Sequence, residues 1–116
     1  MRNRDKTIIK KMCEEIDVIK RIINGLSETD FLANDEKQRA TVMTLINIGE
    51  LVKNLNQDFR LKHNMIPWKQ IAGLRDVAAH GYFILRMDEI WVYACHDLPN
   101  IEEQIKEILG NEEEIK

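Results

Sequence analysis

Apolar residues recur with the period of an α-helix near the start of the chain. They are Ile8, Ile9, Met12, Ile16, Ile19 and Ile23, with lysines and glutamates between them. A spacing of three and four residues places these side chains on one face of a helix, which can pack into a core. Gly25 follows the last of them and is a plausible end of the helix. The chain is therefore expected to begin with an amphipathic helix.

A second stripe with the same period follows. Its members are Val42, Leu45, Ile46, Gly49, Val52 and Leu55. Asp35 can cap the start of this helix, and Gly49 can permit a neighbouring helix to approach closely. The segment between the two stripes, SETDFLAND, predicts a short capped turn.

Two further helical regions are expected in the second half of the chain. Pro67 opens PWKQIAGLRDVAAH, and proline is tolerated in the first turn of a helix because its missing N–H has no helical partner there. Asp88 can cap DEIWVYACHDL, and NIEEQIKEILG then continues the helical pattern. Pro99, between these segments, is expected to kink or divide the last helical region.

The pattern as a whole predicts an all-α protein, an antiparallel bundle of four to five helices. No segment alternates convincingly with period two, and the 116 residues include only five glycines and two prolines. A chain of this length suits one domain. We assign that domain to residues 1–110 and expect residues 111–116, NEEEIK, to form an acidic C-terminal tail.

Several classes of protein and site are disfavoured. No apolar run approaches the roughly 20 residues of a membrane span, and the first residues lack a secretory pattern, so a cytoplasmic protein is expected. Cys13 and Cys95 do not form a recognisable disulfide or zinc pattern, and Cys95 with His96 lacks metal-site spacing. We therefore expect neither a metal nor another cofactor.

Charge is unevenly distributed although the formal net charge is only -3. From Lys53 to Arg75 there are five basic residues and one acid, whereas Asp97–Lys116 contains seven acids and two lysines. A local basic surface can attract phosphate even on a mildly acidic protein. Charge alone nevertheless favours the simpler interpretation, two solvated faces of ordinary helices.

The octapeptide RDVAAHGY contains the residues with the clearest chemical potential, Arg75, His80 and Tyr82. Arg75 and His80 are five residues apart, which places them about 140° apart around a regular helix. Their convergence requires a bend. Gly81 is expected to supply it by adopting the left-handed conformation that often ends a helix.

These residue types suit phosphodiester chemistry. A histidine at a helix C-terminus can transfer protons, and an arginine can hold two phosphate oxygens. RNA carries its own nucleophile, the 2′-hydroxyl, so its cleavage needs a proton acceptor and a proton donor but no metal. One motif histidine per chain is too few for both roles, so we predict a composite site in a two-fold dimer.

A simpler interpretation needs no catalysis. Arg75 would form a salt bridge to Asp76 or Glu50, and His80 would merely end a helix. Spacing alone favours this interpretation, because an arginine and a histidine at this separation are common.

The sequence around the motif favours the catalytic interpretation over the structural one. Three segments carry this evidence: INIGELVKNLNQDF, IPWKQIAGLRDVAAHGYF and MDEIWVYACHDLPNIEEQIKEIL. Together they resemble the HepT-like branch of the HEPN superfamily, whose signature is Arg, four residues, His, any residue, Tyr. This sequence supplies the signature as Arg75, His80 and Tyr82. The resemblance extends in order from about Asn47 to Leu109.

The resemblance implies an all-helical, dimeric, metal-independent endoribonuclease, the toxin of a type II or type VII-like toxin–antitoxin pair. Its substrate would be tRNA or mRNA, and its partner a minimal nucleotidyltransferase antitoxin that transfers adenylate from ATP to the motif tyrosine. By resemblance, Arg75 and His80 are the catalytic pair and Tyr82 is the modified residue. Asp76 matches the polar residue that often follows the arginine, whereas Ala78 and Ala79 are smaller than the aliphatic residues often found there.

Adenylate on Tyr82 would have a direct physical effect. It would place a bulky anion two residues from His80, where it could occupy the RNA phosphate site and pair with Arg75. Tyr82 could also pack at a dimer interface. The alternative to a toxin is a noncatalytic helical module that binds a nucleotidyltransferase or RNA.

Overall fold

A computed structural model describes residues 1–115 of the chain, with the side chains of residues 1–111. All regular elements in this part are helical, which confirms the all-α prediction. The α-helices are α1 Asn3–Ile23, α2 Glu28–Leu32, α3 Asp35–Lys53, α4 Gln57–Lys62, α5 Trp68–His80, α6 Met87–Val92 and α7 Leu98–Ile115. A short 3₁₀-helix spans Tyr82–Ile84, and a π-helical turn, Tyr93–Asp97, joins α6 to α7. Within the described residues, no helix combines the length and apolar character that crossing a membrane requires.

The core lies where α3 packs against both α1 and α5, and α7 packs against α1. Both predicted stripes face this core. The fully buried side chains include Ile9, Met12, Ile16, Ile19, Ile48, Val52 and Ile105. Burying one such side chain stabilises the fold by about 1.5–3 kcal/mol, so these helix faces hold the bundle together.

Helix boundaries fall close to the predicted positions. Gly25 has a φ of 78° and ends α1, as expected. The segment predicted to be a capped turn contains α2, whose N-cap Ser27 forms a capping box. The cap predictions at Asp35 and Asp88 are wrong. Asn34 caps α3 by accepting from the Lys37 amide, and Arg86 precedes α6, so both aspartates lie within first turns.

The last helical region is divided just before Pro99, as predicted. The amide of Leu98 donates to the carbonyl of Tyr93, five residues back, instead of four. Proline has no N–H to offer the next helical hydrogen bond, and a π-helical turn accommodates such an interruption without ending the helix. The chain then continues as α7 through Ile115, into the segment assigned to the acidic tail.

Helices α3 and α5 lie in close contact at Gly49. A Cβ atom there would be 2.2 Å from Cβ of Arg75 and 3.1 Å from the carbonyl oxygen of Ile71. Neither atom is the free end of a flexible side chain, so neither can move aside. The predicted role of Gly49 in close helix packing is therefore confirmed, and Arg75 is the residue packed against it.

We expect Gly49→Ala to lower the free energy of unfolding by about 1–3 kcal/mol, because α3 and α5 must separate. Gly73→Ala is the matched control. A Cβ at Gly73 meets nothing within 4 Å, so alanine there should stabilise α5 by up to about 1 kcal/mol. Urea denaturation followed by circular dichroism measures both changes. Equal effects of the two substitutions would contradict the close-packing argument.

Candidate active site

The motif residues lie at the end of α5 and just beyond it. The helix is regular through His80, so Arg75 and His80 remain about 140° apart around its axis. The amide of Gly81 still donates to the carbonyl of Val77, at 2.9 Å, so the chain turns only after both residues. The prediction that Gly81 bends Arg75 and His80 together is therefore wrong.

The predicted left-handed conformation of Gly81 is also wrong. Its φ is -158°, an extended value that any residue can adopt. A side chain at this position would crowd the exposed side chain of Ile84. A Cβ at Gly81 would lie 3.0 Å from both Cγ1 and Cδ1 of Ile84, whose amide donates to the Gly81 carbonyl. The glycine thus leaves room for the Ile84 side chain where the 3₁₀-helix follows α5.

Arg75 points towards α3 and is held by two carboxylates. Its Nε lies 3.0 Å from Oε2 of Glu50, and its Nη1 donates to Oδ1 of Asp76 at 3.2 Å. The contact with Glu50 is close enough for an ion pair but is not aligned as a hydrogen bond. The Nε of Arg75 is shielded from solvent and has no hydrogen-bond partner among the described residues. The predicted pairing of Arg75 with Glu50 or Asp76 is therefore observed with both. It fixes the guanidinium beside the end of α5.

Lys53 is a member of this cluster that sequence reasoning had counted only in the basic segment. Its ammonium group donates to the carboxylate of Asp76. This hydrogen bond, with a smaller contribution from Arg75, lowers the pKa of Asp76. Lys53 follows Glu50 by three residues, a spacing that places both on one face of α3 and could have identified it. The four side chains form an alternating ionic cluster in which Asp76 stays ionised.

His80 is exposed and has no hydrogen bond, ion pair or ring contact with any described residue. It follows Val77 by three residues, so the two side chains share one face of α5. Next to them the 3₁₀-helix presents Phe83, which is 88% exposed, and Ile84, which is 75% exposed. We call Val77, Phe83 and Ile84 the apolar motif face. His80 therefore lies beside an exposed apolar surface.

Tyr82 is half-buried against α3. The guanidinium carbon of Arg39 lies 5.1 Å from the centre of its ring, and Arg39 is itself paired with Asp35 at 2.8 Å. The ring of Phe83 meets Tyr82 edge-on, with 5.5 Å between the ring centres. The Tyr82 hydroxyl is shielded from solvent and has no hydrogen-bond partner among the described residues. Sequence reasoning missed Arg39, because a cation–π contact between distant residues leaves no local pattern.

Other reactive groups lie outside this cluster. Cys13 and Cys95 are free, and burial raises the pKa of both thiols, which disfavours the nucleophilic thiolate. Within residues 1–111, no group of three or more His, Cys, Asp or Glu side chains is arranged to hold a metal ion. The chemistry available at the motif is thus a fixed guanidinium that can bind phosphate and an exposed imidazole that can transfer protons.

Comparison with known proteins places the motif within a longer similarity. A family model described as Ribonuclease HepT-like matches residues 12–108, which include the whole octapeptide. No solved structure matches the chain significantly.

Three curated relatives resemble nearly the whole chain. The "Putative RNase TTE0752" of Caldanaerobacter subterraneus subsp. tengcongensis is 39% identical, over 90% of this chain and 93% of the relative. The "Putative RNase MJ0127" of Methanocaldococcus jannaschii is 38% identical, over 91% and 88% of the two chains. The "Probable ribonuclease HepT" of Thermococcus cleftensis is 29% identical, over 93% and 98%.

Proposed function

The chain belongs to the HepT-like ribonuclease family, and from this premise we propose that it cleaves RNA in a cleft shared by two protomers. Arg75 and His80 of each protomer supply the catalytic groups. The observation that carries this proposal is the position of His80. Its side chain is exposed, has no partner among the described residues, and lies beside the apolar motif face, which a second protomer can cover.

The cleavage step needs groups that two protomers together possess. The 2′-oxygen of RNA attacks the adjacent phosphorus and the bond to the 5′-oxygen breaks, leaving a 2′,3′-cyclic phosphate and a 5′-hydroxyl. One His80 accepts the proton of the 2′-hydroxyl, and the other His80, protonated, donates to the departing 5′-oxygen. Arg75 stabilises the negative charge that gathers on the phosphoryl oxygens. No step requires a metal ion.

The surface beside His80 supports the proposed dimer. An open cleft of about 420 Å³ lies between α5 and α6, with Leu74, Val77, Ile84 and Ile90 among its lining residues. Phe83 projects next to it. A two-fold interface presents the same surface twice, so the Phe83 of each protomer can meet the cleft of the other. Exposed apolar patches of this kind mark protein interfaces.

Cleavage is tested with purified protein and cellular RNA in the presence of EDTA. We expect the unmodified protein to cut RNA, and Arg75→Ala and His80→Ala to lose at least about 100-fold in rate, because phosphate binding and proton transfer are removed. His96→Ala is the matched control, since His96 is exposed in the π-helical turn. Equal cleavage by all four proteins would indicate a contaminating nuclease and contradict the site. Activity that EDTA abolishes would contradict a metal-independent mechanism.

The shared cleft is tested by Phe83→Ser. This side chain is almost fully exposed in one protomer, so its loss should weaken the dimer without unfolding the chain. We expect sedimentation to show monomers and RNA cleavage to fall together. Met65→Ser is the control, because Met65 is 75% exposed but lies in the link before α5. A monomeric Phe83→Ser protein that retains full activity would refute the composite site.

We further propose that the protein is the toxin of a type II or type VII-like toxin–antitoxin pair, acting in the cytoplasm and inhibited by a nucleotidyltransferase. In the inhibiting reaction, the Tyr82 hydroxyl oxygen attacks the α-phosphorus of ATP, pyrophosphate leaves, and the hydroxyl proton is released to solvent. The new phosphodiester would lie two residues from His80, compete with RNA for that site and pair with Arg75. The Tyr82 hydroxyl is covered in the conformation described, so the 3₁₀-helix must move before transfer.

Modification is tested by mass spectrometry after incubation with ATP and a nucleotidyltransferase encoded beside the gene. We expect adenylate on the peptide that contains Tyr82, with loss of RNA cleavage, and no adenylate on Tyr82→Phe. Tyr93→Phe should still be modified, because the Tyr93 side chain is buried in the core. Adenylate found only on another peptide would refute the assignment to Tyr82.

A noncatalytic module that binds RNA or a nucleotidyltransferase is the second candidate. The observation that favours it is the engagement of Arg75 by Glu50 and Asp76, which would suffice for a structural role. The EDTA assay separates the two, because a binding module leaves RNA intact.

A further inference from the structure

A large cleft adjoins the motif on the side of α4. It runs between α4, the link before α5 and the first turns of α5, and has a volume of about 710 Å³. Its lining includes Gln57, Arg60, Asn64, Lys69 and Asp76. We call it the α4–α5 cleft. Asp76 connects it to the motif, because the same carboxylate accepts a hydrogen bond from Arg75.

The cations of the α4–α5 cleft are not neutralised within the fold. Neither Arg60 nor Lys69 has an ion-pair partner among the described residues. The Nε of Arg60 is shielded from solvent and also lacks a hydrogen-bond partner. The one acid in the lining, Asp76, is already paired with Lys53 and Arg75. The cleft therefore presents positive charge that an anionic ligand could neutralise.

The rest of the lining has the apolar and polar groups that a nucleic-acid base requires. Leu61, which is 64% exposed, and Ala72 contribute apolar surface, and the space above Gly73 is open, since a Cβ there would meet nothing within 4 Å. The amide side chains of Gln57 and Asn64 form no hydrogen bond with any described residue. Amides both donate and accept, as base edges require. Trp68, which also lines the cleft, is held in position because its indole N–H donates to the carbonyl of His63 at 3.0 Å.

We propose that the α4–α5 cleft binds the single-stranded RNA segment adjacent to the phosphate cleaved at Arg75 and His80. Arg60 and Lys69 contact phosphates, the apolar floor supports a base, and Gln57 or Asn64 contacts its edge. The proposal rests on the proposed function for the position of the cleaved phosphate. The α4–α5 cleft would be a second region of contact with the RNA strand, next to the catalytic residues because Asp76 contacts Arg75 and also lines the cleft.

The test measures binding separately from cleavage. The catalytic variant His80→Ala serves as the background, and its affinity for a labelled single-stranded RNA of about ten nucleotides is followed by fluorescence anisotropy at several salt concentrations. Adding Lys69→Ala should weaken binding about five- to tenfold and reduce the salt dependence by about one counterion. Lys69 is exposed, so the substitution should not disturb folding.

Lys10→Ala is the matched control, because it removes the same charge from an exposed position on α1. Its affinity should stay within about twofold of the background, since a distant charge is screened by salt. Equal loss in both variants, or loss in neither, would overturn the cleft as an RNA site. Failure of the His80→Ala protein to bind the RNA would do the same.

The outcomes distinguish this proposal from the proposed function. If the unmodified protein does not cut RNA but Lys69→Ala selectively weakens binding, the cleft stands and the ribonuclease mechanism fails. If RNA is cut and Lys69→Ala binds RNA normally, the mechanism stands and the cleft proposal fails. Normal RNA binding with weaker binding of the nucleotidyltransferase would make the cleft a protein-binding surface and overturn the proposal.

Discussion

The contact between Gly49 and Arg75 is the constraint on which the site depends. Because Gly49 has no side chain, α3 and α5 lie close enough for Glu50 and Lys53 to reach across to α5. A wider helix spacing would leave the guanidinium of Arg75 free to move among several rotamers. The same contact therefore packs the core and fixes the direction of the arginine. The contact between Gly49 and Arg75 thus serves both the packing of the helices and the proposed site.

Helical geometry also explains why one protomer is only part of the proposed site. A regular helix separates Arg75 from His80 around its axis, and the chain turns only at Gly81, after both residues. The arginine faces the neighbouring helix, whereas the histidine faces outwards beside Phe83 and Ile84. Exposed apolar side chains are costly to leave in water, and a second copy would cover them. The proposed two-fold dimer would therefore both complete the proposed site and cover this exposed surface.

The distribution of ion pairs separates the structural charges from those available to a ligand. In the cluster around Arg75, cations and carboxylates alternate, and the lowered pKa of Asp76 reflects that compensation. In the adjoining α4–α5 cleft, Arg60 and Lys69 have no such compensation among the described residues. An RNA strand bound along this surface would contact the guanidinium of Arg75, which is held by carboxylates, and the cations Arg60 and Lys69, which are unpaired in the described part of the chain. In the proposed arrangement, the cations of the α4–α5 cleft hold the RNA strand in position, whereas Arg75 and His80 cleave its phosphodiester bond.

The sequence by itself determined the helices that carry clear apolar stripes, because a 3.6-residue period depends only on neighbours along the chain, whereas the short helices α2 and α4 show no such period. It identified the stripes of α1 and α3, the close packing at Gly49, the end at Gly25, the interruption near Pro99 and the motif itself. The predicted caps at Asp35 and Asp88 are wrong for different reasons, because the neighbouring Asn34 caps α3, whereas the N-cap residue of α6, Arg86, forms no side-chain capping hydrogen bond.

Only the tertiary structure decided how the motif residues face one another. Local spacing could not show that Gly81 is extended, because glycine adopts the left-handed and the extended conformations with similar ease. Nor could spacing reveal that Arg39 stacks on Tyr82, or that Lys53 reaches Asp76, because these contacts join separate helices. Sequence periodicity sets which face of a helix is apolar, whereas packing sets which residues from other helices meet that face.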